Sequence, residues 1–247
     1  MKNHYLTPHW PAPNNISAYT TLRFNGHSKP PFDSFNLSTR EPADSQDALA
    51  NRQQLKSELE LTTDPFWISQ THGTHAIQAD ACTEINPEAD ASYTSRPNTV
   101  CTVLTADCLP LLVCSKAGTE VAAIHAGWKG LQAGVIESTF SKLTTPPGEC
   151  LVWLGPAIGP NAFEVGDDVR QLFLTVDAEA EQAFKMIRPN KWLCDIYTIA
   201  RQRLAKIGVK NVYGGEHCTY SEADRFYSFR RDKGLTGRMA SLIWIHS

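Results

Sequence analysis

The 247-residue sequence contains no Gly-x-Gly-x-x-Gly, no Gly-x4-Gly-Lys-Ser/Thr, no His-Glu-x-x-His, no Gly-x-Ser-x-Gly and no Cys-x2-Cys. Dinucleotide enzymes, P-loop enzymes, the common zinc peptidases, serine hydrolases of the elbow type and paired-cysteine zinc modules are set aside on that ground. No apolar run approaches the length needed to span a bilayer. Charge is nearly balanced, 23 basic against 26 acidic residues for a net charge of −3, with no long run of either sign. The chain therefore lacks the electrostatic footprint of a protein that binds nucleic acid or anionic lipid. The seven cysteines are odd in number and scattered from Cys82 to Cys218, so a disulfide framework is not expected. The stretch from Met1 through Pro8, Pro11 and Pro13 has no apolar core of a secretory signal, which predicts a cytoplasmic protein.

What is present suffices for a full core: 42% of residues are apolar and 20% charged. Gly and Pro fall singly, as turn punctuation, and there is neither a repeat nor a low-complexity tract. One domain over residues 1–247 is expected, as a monomer, because no surplus apolar stripe asks for a partner. Strands are predicted at Ser17–Phe24, Pro65–Ile68, Val100–Thr105, Leu109–Cys114, Glu120–His125, Leu151–Leu154, Val209–Tyr213, Phe226–Phe229 and Ser241–Ile245. Helices are predicted from a cap at Asp44 or Ser45 through Leu61, from Gly130 to Leu143, over most of Asp167–Phe184, and from Asp195 to Ile207. Strands and helices mix without regular βα alternation, which favours an α/β sandwich with mixed sheets and flanking helices.

Three polar interruptions each terminate an apolar strand: His72 after Phe66–Ser69, Cys108 after Val100–Ala106, and His125 after Val121–Ile124. Strands ending on one edge bring such residues into a single cleft. Two imidazoles and a thiolate suit zinc through three protein ligands, and a water in the fourth position would ionise with a pKa of roughly 7. Each residue also has a plain structural reading, Cys108 as a small buried hydrophobe and the histidines as hydrogen-bonded core residues. His75 is a further candidate, as ligand or as orienter of one. Asp107, beside Cys108, is either a proton carrier or a residue that orients a histidine. The run His125-Ala126-Gly127-Trp128-Lys129-Gly130 joins a strand to a helix, where free backbone N–H groups suit phosphate and small residues let a ligand approach. Arg52 shares a helical face with Leu49, Leu55 and Leu59, so its guanidinium is expected on the core side, against a carboxylate or an anionic substrate.

Taken together, Thr71-His72-Gly73, Thr105-Ala106-Asp107-Cys108-Leu109-Pro110, Ala123 through Gly130, Leu154-Gly155-Pro156-Ala157-Ile158-Gly159, Tyr227-Ser228-Phe229-Arg230-Arg231 and Thr236-Gly237-Arg238 resemble the YfiH-type family, also called the laccase-domain or purine nucleoside phosphorylase family. The resemblance runs along essentially the whole chain. It implies a layered fold similar to the catalytic domain of cytotoxic necrotizing factors and a metal site at His72, Cys108 and His125. It also implies phosphorolysis of adenosine, inosine, guanosine or methylthioadenosine, with hydrolytic deamination of adenosine, and it sets Arg52 near the substrate. Thr71 and Ala157 depart from the family pattern, where a hydrophobic residue and a cysteine are common. A laccase-type copper centre needs several His-x-His pairs, and the eight histidines here form none. One soft three-ligand site can still take up copper.

Three readings remain open. In the first, the chain is a zinc enzyme of purine nucleosides that takes a nucleoside and phosphate. In the second, Cys108 is a nucleophile with His125 as its base, in a thiol or zinc amidohydrolase that edits cell-wall precursors. In the third, a closed structural zinc with His75 as fourth ligand stabilises a binding protein.

Overall fold

Strand sequences that are apolar at successive positions must be covered on both faces, and three such stretches set the middle of this molecule. Every residue of Leu109–Ser115, Val121–Ala126 and Cys150–Leu154 is buried. The computed structural model describes residues 4–40 and 42–247. Its elements run β1 (Tyr5–Leu6), β2 (Ile16–Thr21), α1 (Ser45–Glu58), β3 (Ala76–Gln78), β4 (Ala91–Thr94), β5 (Cys101–Thr105), β6 (Leu109–Ser115), β7 (Val121–Ala126), α2 (Trp128–Ala133) and α3 (Val135–Phe140). Then follow β8 (Cys150–Leu154), β9 (Glu164–Gly166), α4 (Asp167–Val176), β10 (Phe184–Arg188), β11 (Lys191–Cys194), α5 (Ile196–Lys206), β12 (Asn211–Gly214) and β13 (Met239–Ile245).

The strands form a mixed six-stranded sheet, β12-β8-β6-β7-β4-β3, an antiparallel four-stranded sheet, β1-β2-β13-β5, and a small antiparallel sheet, β10-β11-β9. Alternation along the strands decides what each face meets. From β6, Leu109, Leu111 and Val113 point to the layer of α2, α3 and α5, where Leu131, Ile136, Phe140, Ile199 and Leu204 cover them. Leu112 and Cys114 point the other way, onto Cys101, Val103, Ile243 and Ile245 of the four-stranded sheet. The outer face of that sheet, with Ala240, Leu242 and Trp244, packs on Leu55 and Leu59 at the end of α1. The result is an α/β sandwich of mixed sheets with helices outside, as the pattern of elements predicts.

Local chemistry fixes several boundaries. Asp44 caps α1 by accepting from Gln46 N at 2.8 Å, and Asp195 caps α5 by accepting from Tyr197 N and Thr198 N at 3.0 and 3.1 Å. The helix expected over Gly130–Leu143 is instead two, because Gly134 takes φ +100° and breaks the path between α2 and α3. Phe226–Phe229 is not a strand; Phe226 and Tyr227 are buried against Leu22, Ala106 and Met239 without a ladder. Pro65–Ile68 makes one isolated bridge, Phe66 with Cys101, rather than a strand. Leu49, placed on the buried face of α1 by the heptad-like spacing, is 53% exposed, and the buried face carries Ala48, Asn51 and Leu55.

Candidate metal centre and its cavity

The segment Ala106-Asp107-Cys108 carries the chain from β5 in one sheet to β6 in the other. Asp107 makes the turn with φ +87°, a backbone conformation that few residues other than glycine adopt. Its carboxylate secures the crossing: Oδ1 accepts from Thr219 Oγ1 at 2.6 Å and Oδ2 from the Arg230 N–H at 2.7 Å. Cys108 is thereby set at the mouth of β6, next to the end of the paired strand β7, where Pro110 faces His125. His72 lies on the preceding loop, also with positive φ, +62°.

The third anchor is Asp90, which enters β4 beside β7 and is fully buried. Its carboxylate accepts from the N–H of Thr71, His72 and Gly73 at 3.2, 2.9 and 2.6 Å, from Thr71 Oγ1 at 3.1 Å, and from His125 Nδ1 at 2.8 Å. One carboxylate thus holds both the His72 turn and the His125 ring. With Nδ1 of His125 committed, its Nε2 is the nitrogen left for chemistry. Asp90, rather than Asp107, is the residue that orients a histidine. It sits in Glu88-Ala89-Asp90-Ala91, where the single hint is an acid between small apolar residues at a strand entrance.

The ligand atoms of His72, Cys108 and His125 lie within 4.8 Å of one another, with Cys108 Sγ 3.8 Å from His72 Nε2. Around a tetrahedral zinc, a thiolate and an imidazole nitrogen stand roughly 3.5 Å apart. The donor set and its spacing therefore fit a single zinc or similar soft divalent ion. Among the described residues this is the one such group, and it offers a centre for one ion, not a copper cluster. Burial works against the Cys108 thiolate, but the neighbouring His125 imidazolium, its hydrogen bond and that of His72 draw the thiol down to about 6. Burial likewise disfavours the charged His125 ring, and Cys108 and Asp90 nevertheless hold it up at about 9. A cation taken up here replaces the proton that this pair shares.

His75 is not part of the cluster: its Nδ1 meets Glu88 O at 2.8 Å. Gly127 and Gly130 are glycines because the cluster and its loop press close against them. A side chain on Gly127 would meet His72 Cδ2 at 2.8 Å and Cys108 Sγ at 3.0 Å, and one on Gly130 would meet Gly73 O at 2.8 Å. Trp128 and Lys129, between them, do face the cavity. Arg52 does not line it; its Nε donates to Leu37 O at 2.9 Å and its guanidinium lies 3.8 Å from the centre of the Trp67 ring. The cavity over the cluster measures about 600 Å³, within the range of small-molecule sites. Its walls include Phe32, Ile158, Phe163 and Phe229, with Arg40 and Arg238 as cations that the helix-face argument did not reach.

A model of the family described as multi-copper polyphenol oxidoreductase laccase matches residues 17–246. The chain belongs to this YfiH-type family. Similar members include purine nucleoside phosphorylase YfiH of Escherichia coli (strain K12), 49% identical over 240 residues that make up 97% of this chain and 98% of that one. Purine nucleoside phosphorylase PA4543 of Pseudomonas aeruginosa is 48% identical over 244 residues, 98% of this chain and 99% of its own. Among solved structures, the Neisseria meningitidis protein NMB0706 superposes with a TM-score of 0.95 at 44% identity, covering 99% of this chain and 100% of that one. YlmD from Geobacillus stearothermophilus gives 0.87 at 26% identity, covering 100% and 98%. YfiH-type architecture is thus shared along the chain, and among the described residues no helix is long and apolar enough to cross a membrane.

Proposed function

We propose that the chain is a zinc-dependent purine nucleoside phosphorylase that also deaminates adenosine, with residues 1–247 as one catalytic unit. The observation that carries this reading is a nucleoside-sized cavity that closes directly on the His72–Cys108–His125 cluster. Two relatives close to half identical over nearly the whole chain, each named a purine nucleoside phosphorylase, support it. Adenosine, inosine, guanosine and methylthioadenosine share the purine and the N-glycosidic bond the site would act on. The partners are then a nucleoside and inorganic phosphate, met by a monomer in the cytoplasm.

His72, Cys108 and His125 would hold zinc, which when bound supplies Lewis acidity at the cavity floor; copper is the alternative occupant of the same donors. In phosphorolysis a phosphate oxygen forms a bond to the anomeric carbon while the bond from that carbon to the purine nitrogen breaks. The electron pair leaves with the base, which takes up the proton that hydrogen phosphate gives up, and the products are the sugar 1-phosphate and free purine. The protein's part is to hold the two reactants in register and exclude water. Phe163 and Phe229 offer apolar faces for the purine, and Trp128 flanks the cluster. Asp90 fixes the ring of His125, and Asp107 pins the loop carrying Arg230 over the cavity. Both oxygens of Asp107 are engaged by donors, which suits a clasp better than a proton carrier.

A second reading draws on the Cys108–His125 pair, whose shared proton is what a thiol nucleophile of an amidohydrolase requires. One experiment separates the two. Protein purified without added metal is incubated with adenosine, with and without phosphate, and the products are resolved by chromatography. Phosphate-dependent free adenine that disappears on chelation and returns with zinc supports phosphorolysis. Turnover of an amide substrate that survives chelation and is lost on thiol alkylation supports the second reading and overturns the first.

A further inference from the structure

Three guanidiniums line the cavity, those of Arg40, Arg230 and Arg238, and among the described residues none forms an ion pair; Arg230 is turned to the backbone, its Nη1 donating to Glu164 O at 2.8 Å. Nη1 of Arg238 donates to Thr236 O and Gly237 O at 2.8 and 2.9 Å, and its backbone N–H donates to Asn36 Oδ1 at 2.9 Å. These contacts fix the side chain beside the Phe229 ring, 5.6 Å from its centre. The Nε and Nη2 of Arg238 have no protein acceptor among the described residues. Arg40 reaches the same cavity from the loop before α1, with Nη2 donating to Ser69 Oγ at 2.7 Å and longer contacts to Gln70 O at 3.4 Å. Among the described residues neither Arg238 nor Arg40 forms an ion pair, whereas Arg23, Arg170, Arg188, Arg203, Arg225 and Arg231 do; of the other unpaired arginines, Arg52, Arg96, Arg201 and Arg230, only Arg230 lines the cavity.

Burial holds Arg238 below the usual guanidinium range, and the like charge of Arg40 pushes the same way, against Cys108 and Asp107. A partly buried cation with open donors is costly until an anion reaches it. The planar fork of arginine matches the oxygens of a phosphate in pairs, and two such forks match its double charge. Arg52 lies outside this cavity, with its Nε donating to Leu37 O and its guanidinium against the Trp67 ring.

We propose that Arg238 and Arg40 together hold the inorganic phosphate dianion, beside the His72–Cys108–His125 cluster, in place of the Gly127–Gly130 turn. This assignment rests on the phosphorolysis reading for the role of the phosphate, but not for its binding. The test uses the full chain and two variants, Arg238→Gln and Arg40→Gln, with inorganic phosphate as the probe. Phosphate should raise the melting temperature of the wild-type protein, and each variant should lose that rise while melting normally in phosphate-free buffer. In steady state the KM for phosphate should rise at least about tenfold in each variant, the loss of one charge-assisted contact, with the KM for nucleoside nearly unchanged.

Arg40 is exposed, so its variant keeps the test alive if Arg238→Gln folds poorly. An unchanged phosphate KM in a folded Arg40→Gln and Arg238→Gln pair overturns the assignment while leaving phosphorolysis intact. Phosphate binding that depends on both arginines, in a protein that cleaves no nucleoside, supports the assignment and fails the activity instead. Weakened binding of a nucleoside 5′-monophosphate with phosphate binding unaltered would assign the pair to a phosphoester and overturn the choice of inorganic phosphate.

Discussion

Replacing Asp90 with Asn changes one atom in a carboxylate that five donors share. If the new amide nitrogen takes the place of Oδ2, it faces the Gly73 and Thr71 N–H groups, which stand 2.6 and 3.2 Å from that oxygen, and the Thr71 hydroxyl at 3.1 Å, which can turn to accept instead. If the amide is turned over, the nitrogen faces His125 Nδ1 and the His72 N–H, at 2.8 and 2.9 Å. Either way two donors lose their acceptor, at about 1–3 kcal/mol each for buried groups, so the variant should be about 2–6 kcal/mol less stable. For a chain of this size that is a fall in Tm of roughly 5–20 °C. Because the same carboxylate orients His125 and the His72 turn, zinc affinity should drop about 10- to 100-fold.

Two measurements check this: thermal melts in the presence of a chelator, and zinc competition against a chromophoric chelator. A carboxylate held below its ordinary pKa stabilises the fold above the ordinary carboxylate range and loses that contribution as pH falls through the lower folded value. The gap between wild type and variant should therefore be full at neutral pH and narrow only in acid. A variant that melts with wild type and binds zinc equally well would refute the role given to Asp90.

Gly127→Ala would thrust a methyl against His72 and Cys108, at 2.8 and 3.0 Å; the expected cost is about 1–3 kcal/mol, with a clear loss in zinc competition while far-UV circular dichroism stays unchanged. In the chelated protein, alkylation of Cys108 should follow a midpoint near 6 rather than the roughly 8.5 of a free thiol, and zinc should suppress it. The accompanying stability has opposite signs at its two ends: the Cys108 share is lost as pH falls through about 6, and the His125 share as pH rises through about 9. Between those values the gain in one share offsets the loss in the other, because folded and unfolded pairs each hold one proton, so chelated protein should melt at a nearly constant temperature from about 6 to about 9, and a steep change in Tm across that window would count against a thiolate–imidazolium pair.

What could be read in advance depended on whether a residue's role is local. The apolar runs at Leu109–Ser115 and Val121–Ala126 announce buried strands by composition alone, and the polar residues that end them, Cys108 and His125, followed as candidates. Asp90 is silent because its partners lie about 18 and 35 positions away along the chain; pairing of β4 with β7 brings in His125, and the bridge between Ser69 and Glu88 brings in the His72 loop. The face of α1 drawn through Leu49 is the part that spacing misplaces: that leucine is left half in water, while Asn51 occupies the buried stripe and ties Ser28 Oγ, Ser34 O and Asn36 O together. Phe226–Phe229 looked like a strand because alternating aromatics bury equally well in an irregular segment once other elements cover them. The short strands β9, β10 and β11 carry mixed, largely polar sequences, and their pairing is a matter of tertiary contact rather than of pattern.

The crossing at Ala106-Asp107-Cys108 constrains how this architecture can vary. An extra residue there cannot be absorbed as slack, since it would slip either β5 along β13 or β6 along both β7 and β8, and a one-step slip turns every inward side chain of the strand outward. Length changes are tolerated instead where chain is unladdered, such as the exposed turn near Ile85, which is 92% exposed. The three-residue span from sheet to sheet thus acts as a fixed ruler, keeping the sulfur at one height against both stacks whatever happens to the loops around it.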